Sequence, residues 1–287
     1  MLRSVFLSLC ACLLTAAPQT LAQQAPPASG ARILLLPKRI VSGETATLAV
    51  LDVNGRLTPG VTVNFSNGDH SVTNATGRAL FVAPLNPGVI YATIASHSAR
   101  VYTTILTPQE ATSSSLKVSA APTFVSLADR FDLSGSGFCG EADANVVRVA
   151  GKQSLVLASS PAALIALPPP DLDPGPSSVE ISCGKRAAPR FSITFLELSL
   201  HADSSPLTPG EHRTLTVQVR GTAAKVPLEA RNLSPTIAEL AGGNPTSAKM
   251  TSSGGPEDVA QFELVGRERG NFIISVRLLP TPALPRR

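Results

Sequence analysis

Tryptophan is absent from this 287-residue chain, and it has only two tyrosines, Tyr91 and Tyr102. Proteins that stack bases or sugar rings need flat aromatic side chains, so either class has little to draw on here. Both tyrosines fall inside strand patterns, which predicts rings packed on the first sandwich. Charge is sparse as well, with Asp, Glu, Lys and Arg making up 15% of the residues. The net charge of +4 is scattered, and Lys185-Arg186 and Arg286-Arg287 are isolated pairs. A basic stripe interleaved with aromatics is missing, so no nucleic-acid partner is expected. Long apolar runs are missing after Ala17, which leaves no membrane span once the N-terminal segment is removed.

That N-terminal segment reads as an export signal. Arg3 is a positive start, Val5 to Ala17 form a short apolar stretch, and Thr20-Leu21-Ala22 offers small residues for cleavage after Ala22. The rivals are an uncleaved anchor and a lipoprotein through Cys12, the latter suggested by Leu9-Cys10-Ala11-Cys12. Both are disfavoured, because the apolar stretch is short and Cys12 comes early within it. The expected destination is the periplasm, the cell surface or the medium.

The mature chain is rich in punctuation, with 25 prolines and 21 glycines between Val-, Leu-, Thr- and Ser-rich stretches. Many short strands joined by turns follow from that composition. Val61, Val63 and Phe65 alternate with Thr62, Asn64 and Ser66, the period-2 pattern of a half-buried strand. Asn54-Gly55 and Asn67-Gly68 mark turns on either side. The predicted class is all-β: tandem immunoglobulin-like β-sandwiches after a cleaved signal peptide. The expected partition is a signal peptide (1–22), a polar leader (23–32) and sandwiches at 33–107, 108–195 and 196–287, the last with a frayed C-terminus. The boundary near residue 196 rests on a phase change in RFSITFLELSL. Phe191, Ile193 and Phe195 alternate in one phase; Leu196, Leu198 and Leu200 alternate in the other. A slip of one residue flips the buried face, as expected where one sandwich gives way to the next.

Two stretches carry family resemblances. Asp52 and Gly55 before Pro59-Gly60-Val61, the Thr76-Gly77-Arg78-Ala79 turn and Pro87-Gly88 resemble the bacterial immunoglobulin-like domains of invasin- and intimin-type surface proteins, over about residues 33–106. Residues 116–195 resemble the IPT/TIG immunoglobulin-like module. The matching residues are Gly135-x-Gly137-Phe138, Val146, Val149, Gly151, Ala163-Leu164 before Pro168-Pro169-Pro170, then Gly175 and Val179. Both resemblances imply a sandwich fold and a binding, presenting or spacing role rather than a reaction.

The stretch FDLSGSGFCG sets Gly135, Gly137 and Gly140 in the G-x-G-x-x-G spacing of a dinucleotide-binding turn. That chemistry needs a helix opening on the last glycine and an acid about twenty residues on. EADANVVRVAG reads instead as a turn and a strand, and after Asp143 the next acid is Asp171. No cofactor is expected, and the glycines are read as a bulged strand corner. In an exported chain Cys139 and Cys183, the two mature cysteines, should pair. Val179, Ile181 and Cys183 share one strand face, which aims Cys183 into the core.

No catalytic residue is nominated: G-x-S-x-G and H-E-x-x-H are absent. His70 and His97 lie beside turns. His201, Asp203 and His212 would meet at a metal only if their strands pair suitably, so no metal ligand is assigned. Asp171-Leu172-Asp173-Pro174-Gly175 has too few oxygens for calcium and reads as a solvated turn. The expected function is a non-enzymatic binding, adhesive or spacer protein of the bacterial envelope, its partner an unknown envelope protein or polymer. The alternatives are an accessory or hydrolytic enzyme with a site between domains, or a periplasmic assembly or secretion factor.

Overall fold

A computed structural model describes residues 32–94, 100–108, 115–203, 205–249 and 258–279, all within one compact unit. The expected signal peptide, most of the polar leader, His97 and the C-terminal ALPRR lie outside the described residues.

Among the described residues the regular structure is almost all β-strand, and its first eight strands are β1 (Ile33–Leu35), β2 (Arg39–Val41), β3 (Thr45–Leu51), β4 (Thr62–Phe65), β5 (His70–Val72), β6 (Arg78–Val82), β7 (Gly88–Ile94) and β8 (Val101–Leu106). They form two layers: β1-β3-β6, an arm of a larger sheet that continues through β3, and the five-stranded sheet β2-β8-β7-β4-β5. All pairs are antiparallel except β2 with β8, where Arg39, Ile40 and Val41 run parallel to Thr104, Ile105 and Leu106. Leu48, Val50, Val63, Phe65, Phe81, Ile90 and Ile94 fill the space between the sheets. The Phe65 and Phe81 rings meet at 5.0 Å between centroids.

Next come β9 (Lys117–Ala120), β10 (Phe124–Ser126), β11 (Phe131–Ser136), β12 (Asn145–Val149), β13 (Lys152–Ser160), β14 (Ala163–Leu167), β15 (Gly175–Cys183), β16 (Arg186–Ala187) and β17 (Phe191–His201). β13 serves both sheets: its start, up to Ser154, pairs with β12, and from Leu155 it pairs with β14, with a bulge between Val156 and Ala158 inside that second ladder. A bulge turns the strand and re-aims its side chains, which lets one strand close a sandwich edge. The second core gathers Phe131, Leu133, Phe138, Val147, Val149, Ile181 and Phe195. Phe131 meets Phe195 edge-on at 5.8 Å, a favoured aromatic geometry.

The third group is β18 (His212–Arg220), β19 (Pro227–Asn232), β20 (Ala238–Leu240), β21 (Thr246–Lys249), β22 (Asp258–Gly266) and β23 (Ile274–Leu278). One sheet runs β17-β18-β22-β20 and the facing one β21-β19-β23. Leu196, Leu215, Val217, Val219, Leu228, Phe262 and Leu264 form the core between them. The all-β class is thus present as stacked β-sandwiches with three large buried cores.

β17 carries the phase slip. Its first half pairs with β15 through Phe195 and its second half with β18 from Glu197. Phe195 and Leu196 are adjacent and both fully buried, Phe195 in the second core and Leu196 in the third. A single strand feeds two cores because alternate side chains leave on opposite faces, and the slip places both faces under cover.

Candidate functional site

The glycine stretch forms a packed corner. A register shift falls between Ser134 and Gly135 where β11 meets β9. A Cβ on Gly135 would lie 2.0 Å from the Lys117 carbonyl oxygen, and one on Gly140 would lie 1.9 Å from that of Thr45. Gly137 has φ +75°. A 3-10 turn, Ala142–Ala144, follows and leads straight into β12, so no α-helix opens here to hold a pyrophosphate. The spacing is therefore one of close backbone approach and reversal.

Cys139 and Cys183 are joined, with Cα atoms 5.8 Å apart. Asn145, buried and directly opposite Cys183 in register, frames the Cys139 peptide. Its Oδ1 accepts from the Cys139 N–H at 2.9 Å, and its Nδ2 donates to the Cys139 carbonyl at 2.8 Å. Ser159 Oγ donates to the same carbonyl at 2.5 Å. Buried polar groups satisfied this fully act as structural pins.

His201 Nε2 lies 3.3 Å from Gln218 Oε1, and His212 is exposed on β18. The Asp203 carboxylate accepts from the Ser205 N–H at 2.9 Å. The three groups are not brought to one point, because alternation sends His212 outward and its neighbour Arg213 inward. Arg213, which motif reasoning passed over, is the buried cation of this end. It donates to the Ser205 carbonyl at 2.6 Å and to the Asp203 carbonyl at 3.1 Å, and its Nε lies 3.1 Å from Glu211. Its guanidinium also lies 5.8 Å from the Phe272 ring centroid. The visible signal for it was phase: Arg213 shares a strand face with Leu215, Val217 and Val219. Hydrogen bonds from Arg213 and then Thr208 hold the Glu211 carboxyl down at about 2. Hydrogen bonds from Ser205 likewise lower Asp203.

Asp171 and Asp173 are exposed in their turn, and the Lys152 ammonium donates to the Asp171 carbonyl. A groove of about 540 Å³ where the three cores meet is lined by Lys38, Phe124, Asp129, Arg130, Asp132 and Arg277, among others. Its charges are paired within the protein: Lys38 with Asp132 at 2.7 Å, Arg130 with Asp129 at 3.9 Å and Arg277 with Glu229 at 2.8 Å. Among the described residues, no three His, Cys, Asp or Glu side chains gather as a metal site. No helix there is long and apolar enough to cross a membrane.

The tyrosines correct the sequence reading. Rather than packing on the first core, they face outward, Tyr91 45% exposed and Tyr102 64% exposed. The inward phase of β7 belongs to Ile90, Ala92 and Ile94, and that of β8 to Thr103 and Ile105. The stretch VIYATI has apolar residues in both phases, so pattern alone left the buried face undecided. Tyr91 and Tyr102 are direct cross-strand partners, their ring centroids 6.4 Å apart. Around them the same outer face carries Val89, Thr104 and Arg39 in one row and Thr93, Asn64 and His70 in another. Ser66 borders the pair, its Oγ accepting from the Tyr91 N–H at 3.2 Å. The result is an exposed aromatic step on a hydroxyl- and amide-rich sheet face.

No protein-family model matches this chain, and no curated protein matches it, so the two family resemblances read from the sequence stand without a matching model. The solved structures it is similar to include the Bacteroides ovatus mixed-linkage glucan utilization locus protein SGBP-B, in complex with a mixed-linkage heptasaccharide. That match has 14% identity and a TM-score of 0.37, covering 84% of this chain and 72% of that one. The Escherichia coli adhesin FdeC matches at 16% identity and TM-score 0.24, over 88% of this chain and 92% of that one. The surface-layer protein SbsC, domains 1–6, matches at 10% identity and TM-score 0.20, over 90% of this chain and 39% of that one. Similarity this distant assigns no activity.

Proposed function

We propose that this chain is an exported, non-enzymatic binding protein of the bacterial envelope. In this reading, three tandem sandwiches, at 33–107, 108–195 and 196–287, hold out one recognition face. The observation that carries it is the Tyr91–Tyr102 pair, two large side chains kept exposed at the surface by strand phase. Exposed aromatics set among polar groups are the usual anchors of recognition surfaces. The Cys139–Cys183 disulfide supports an oxidising compartment and hence the expected signal at 1–22. The three cores support the partition.

The test is retention of envelope components from the source organism by immobilised chain starting at Gln23, with cross-linking and mass spectrometry. One component should be retained, and it should be lost from a Tyr91→Ala, Tyr102→Ala variant that unfolds at the parent temperature. Retention of nothing above a scrambled control, or retention indifferent to the tyrosines, sinks the reading.

A second reading, an assembly factor that adds a strand to a client, is favoured by β6. Within the described residues this strand pairs only with β3, and it exposes Leu80 and Val82 beside an open edge. Loss of retention in Val82→Lys rather than in the tyrosine variant would select it.

A further inference from the structure

We infer that the tyrosine face takes an acidic polysaccharide, a glycan chain bearing carboxylates. This rests on the binding-protein reading above and names its ligand class. Three features of the face converge on that chemistry.

The first is shape. The face belongs to a five-stranded sheet, and the paired rings of Tyr91 and Tyr102 are tilted 57° to each other. Such a surface offers apolar ring faces to the C–H faces of sugars and hydroxyl tips to their oxygens. An extended polymer can lie along it, whereas a compact ligand would need a pocket.

The second is hydrogen-bonding capacity. Thr104, Thr93, Asn64 and Ser66 flank the rings in the neighbouring rows. Hydroxyls and amides both donate and accept, which suits the mixed donor–acceptor edge of a sugar.

The third is charge. Arg39 sits in the row next to the tyrosines, opposite Thr104, and Arg100 lies two residues before Tyr102. Both are exposed, and neither is held in an ion pair among the described residues. None of the positions registered on this face is Asp or Glu. The face thus sets two exposed guanidinium groups, outside any ion pair among the described residues, beside two aromatic rings, with no acid at its registered positions. A guanidinium matches a carboxylate in a two-pronged geometry, so the charge complementarity selects an acidic glycan over a neutral one.

The composition supplies a direct readout. With no tryptophan and only these two tyrosines in the chain, its intrinsic tyrosine emission reports this face alone. The chain from Gln23 is titrated with polygalacturonate and, in parallel, with the same polymer fully methyl-esterified. Polygalacturonate should change the emission, and the effect should weaken with added salt. The esterified polymer should bind at least about tenfold more weakly, a difference of about 1.4 kcal/mol. Calorimetry should show the same loss in Arg39→Gln, Arg100→Gln. It should also show loss of binding in Tyr91→Ala, Tyr102→Ala and near-parent binding in Tyr91→Phe, Tyr102→Phe, which keep the rings. Thermal unfolding of every variant checks that the fold is intact.

Equal binding of the two polymers, no binding of either, or binding unaffected by the alanine pair each overturns the inference. If the retained envelope component proves to be a protein, resistant to glycan-degrading enzymes and still dependent on the tyrosines, the binding-protein reading survives and this inference falls. If nothing is retained, both fall.

Discussion

The first and second cores meet side by side, whereas the second and third share a strand. At the first junction Leu35, Ala49 and Leu51 pack against Leu157, Ala158 and Ile165. Polar contacts from distant parts of the chain surround that cluster. Thr47 Oγ1 donates to the Gly140 carbonyl at 2.8 Å and accepts from the Ala142 N–H at 3.1 Å. Ser160 Oγ donates to the Arg39 carbonyl at 2.5 Å, and Ser159 pairs with Thr47, joining β13 to β3 in one sheet. Arg78, its side chain only 7% exposed, reaches Asp143 at 2.6 Å. At the second junction β17 runs through without a break, and β10 lies parallel to it from Thr194 to Leu196. One junction is made by folding together distant surfaces, the other by covalent continuity with a change of phase. The first should therefore loosen without unfolding either core, while the second should not separate without damage to a core.

The largest expected effects test the shared strand. Phe195→Ala should cost about 3–5 kcal/mol and Leu196→Ala about 2–5 kcal/mol, as for large truncations in a packed core. Hydrogen exchange should place the Phe195 loss in residues 116–193 and the Leu196 loss in residues 207–264. If each substitution loosened both stretches equally, β17 would not divide the cores as described.

Removing the Cys139–Cys183 bond with Cys→Ser changes should lower stability by about 2–5 kcal/mol. The first junction should feel it too, because the same corner presents the Gly140 carbonyl to Thr47. Faster exchange at Thr47 and Ala142 with unchanged exchange at β18 is the expected pattern, and the reverse would detach the corner from the junction.

Gly140→Ala forces a methyl group against the Thr45 carbonyl, and backbone atoms on both sides leave little room to yield. A loss of about 1–3 kcal/mol is expected, the range for overpacking. Thermal unfolding would check it, and a neutral outcome would mean that the two surfaces part easily.

Asp143→Asn should cost less, about 1 kcal/mol, because Asp143 is 79% exposed and water screens the pair. Arg78 stays buried with its Nε unpartnered, so the loss should not vanish. A double-mutant cycle with Arg78→Met isolates the coupling.

The smallest effect concerns neither junction. Glu211 titrates at about 2 in the fold against an ordinary 4.5. A lowered folded value means that its stabilisation is full above pH 4.5 and is lost as pH falls toward 2. Acid titration of Glu211→Gln against the parent should show a difference that closes over that window. A difference that widens on acidification would reverse the assignment.

The two junctions were not equally legible. The phase slip at Phe195 and Leu196 is written in eleven consecutive residues, and period-2 alternation is a local property of the strand. The Cys139–Cys183 pairing followed from compartment and count, and Cys183 is buried alongside Val179 and Ile181. The first junction has no local signature: Thr47 and Gly140, or Ser160 and Arg39, are brought together only after both cores exist. Asn232 shows the same limit. It sits in an Asn-Leu-Ser sequon, yet it is buried and donates to the Ala238 carbonyl at 2.5 Å.

By itself, the sequence determined the all-β class, the turns and the strand phase at β17, because composition, glycine and alternation act over a few residues. Tertiary structure alone decided which face of β7 and β8 met water, which glycines touched a neighbouring backbone and where Arg213 and Arg78 found their partners. Strands such as VIYATI are apolar in both phases, so only the opposing sheet could choose between them. By taking Ile90, Ala92 and Ile94 as its partners, that sheet left Tyr91 and Tyr102 outside.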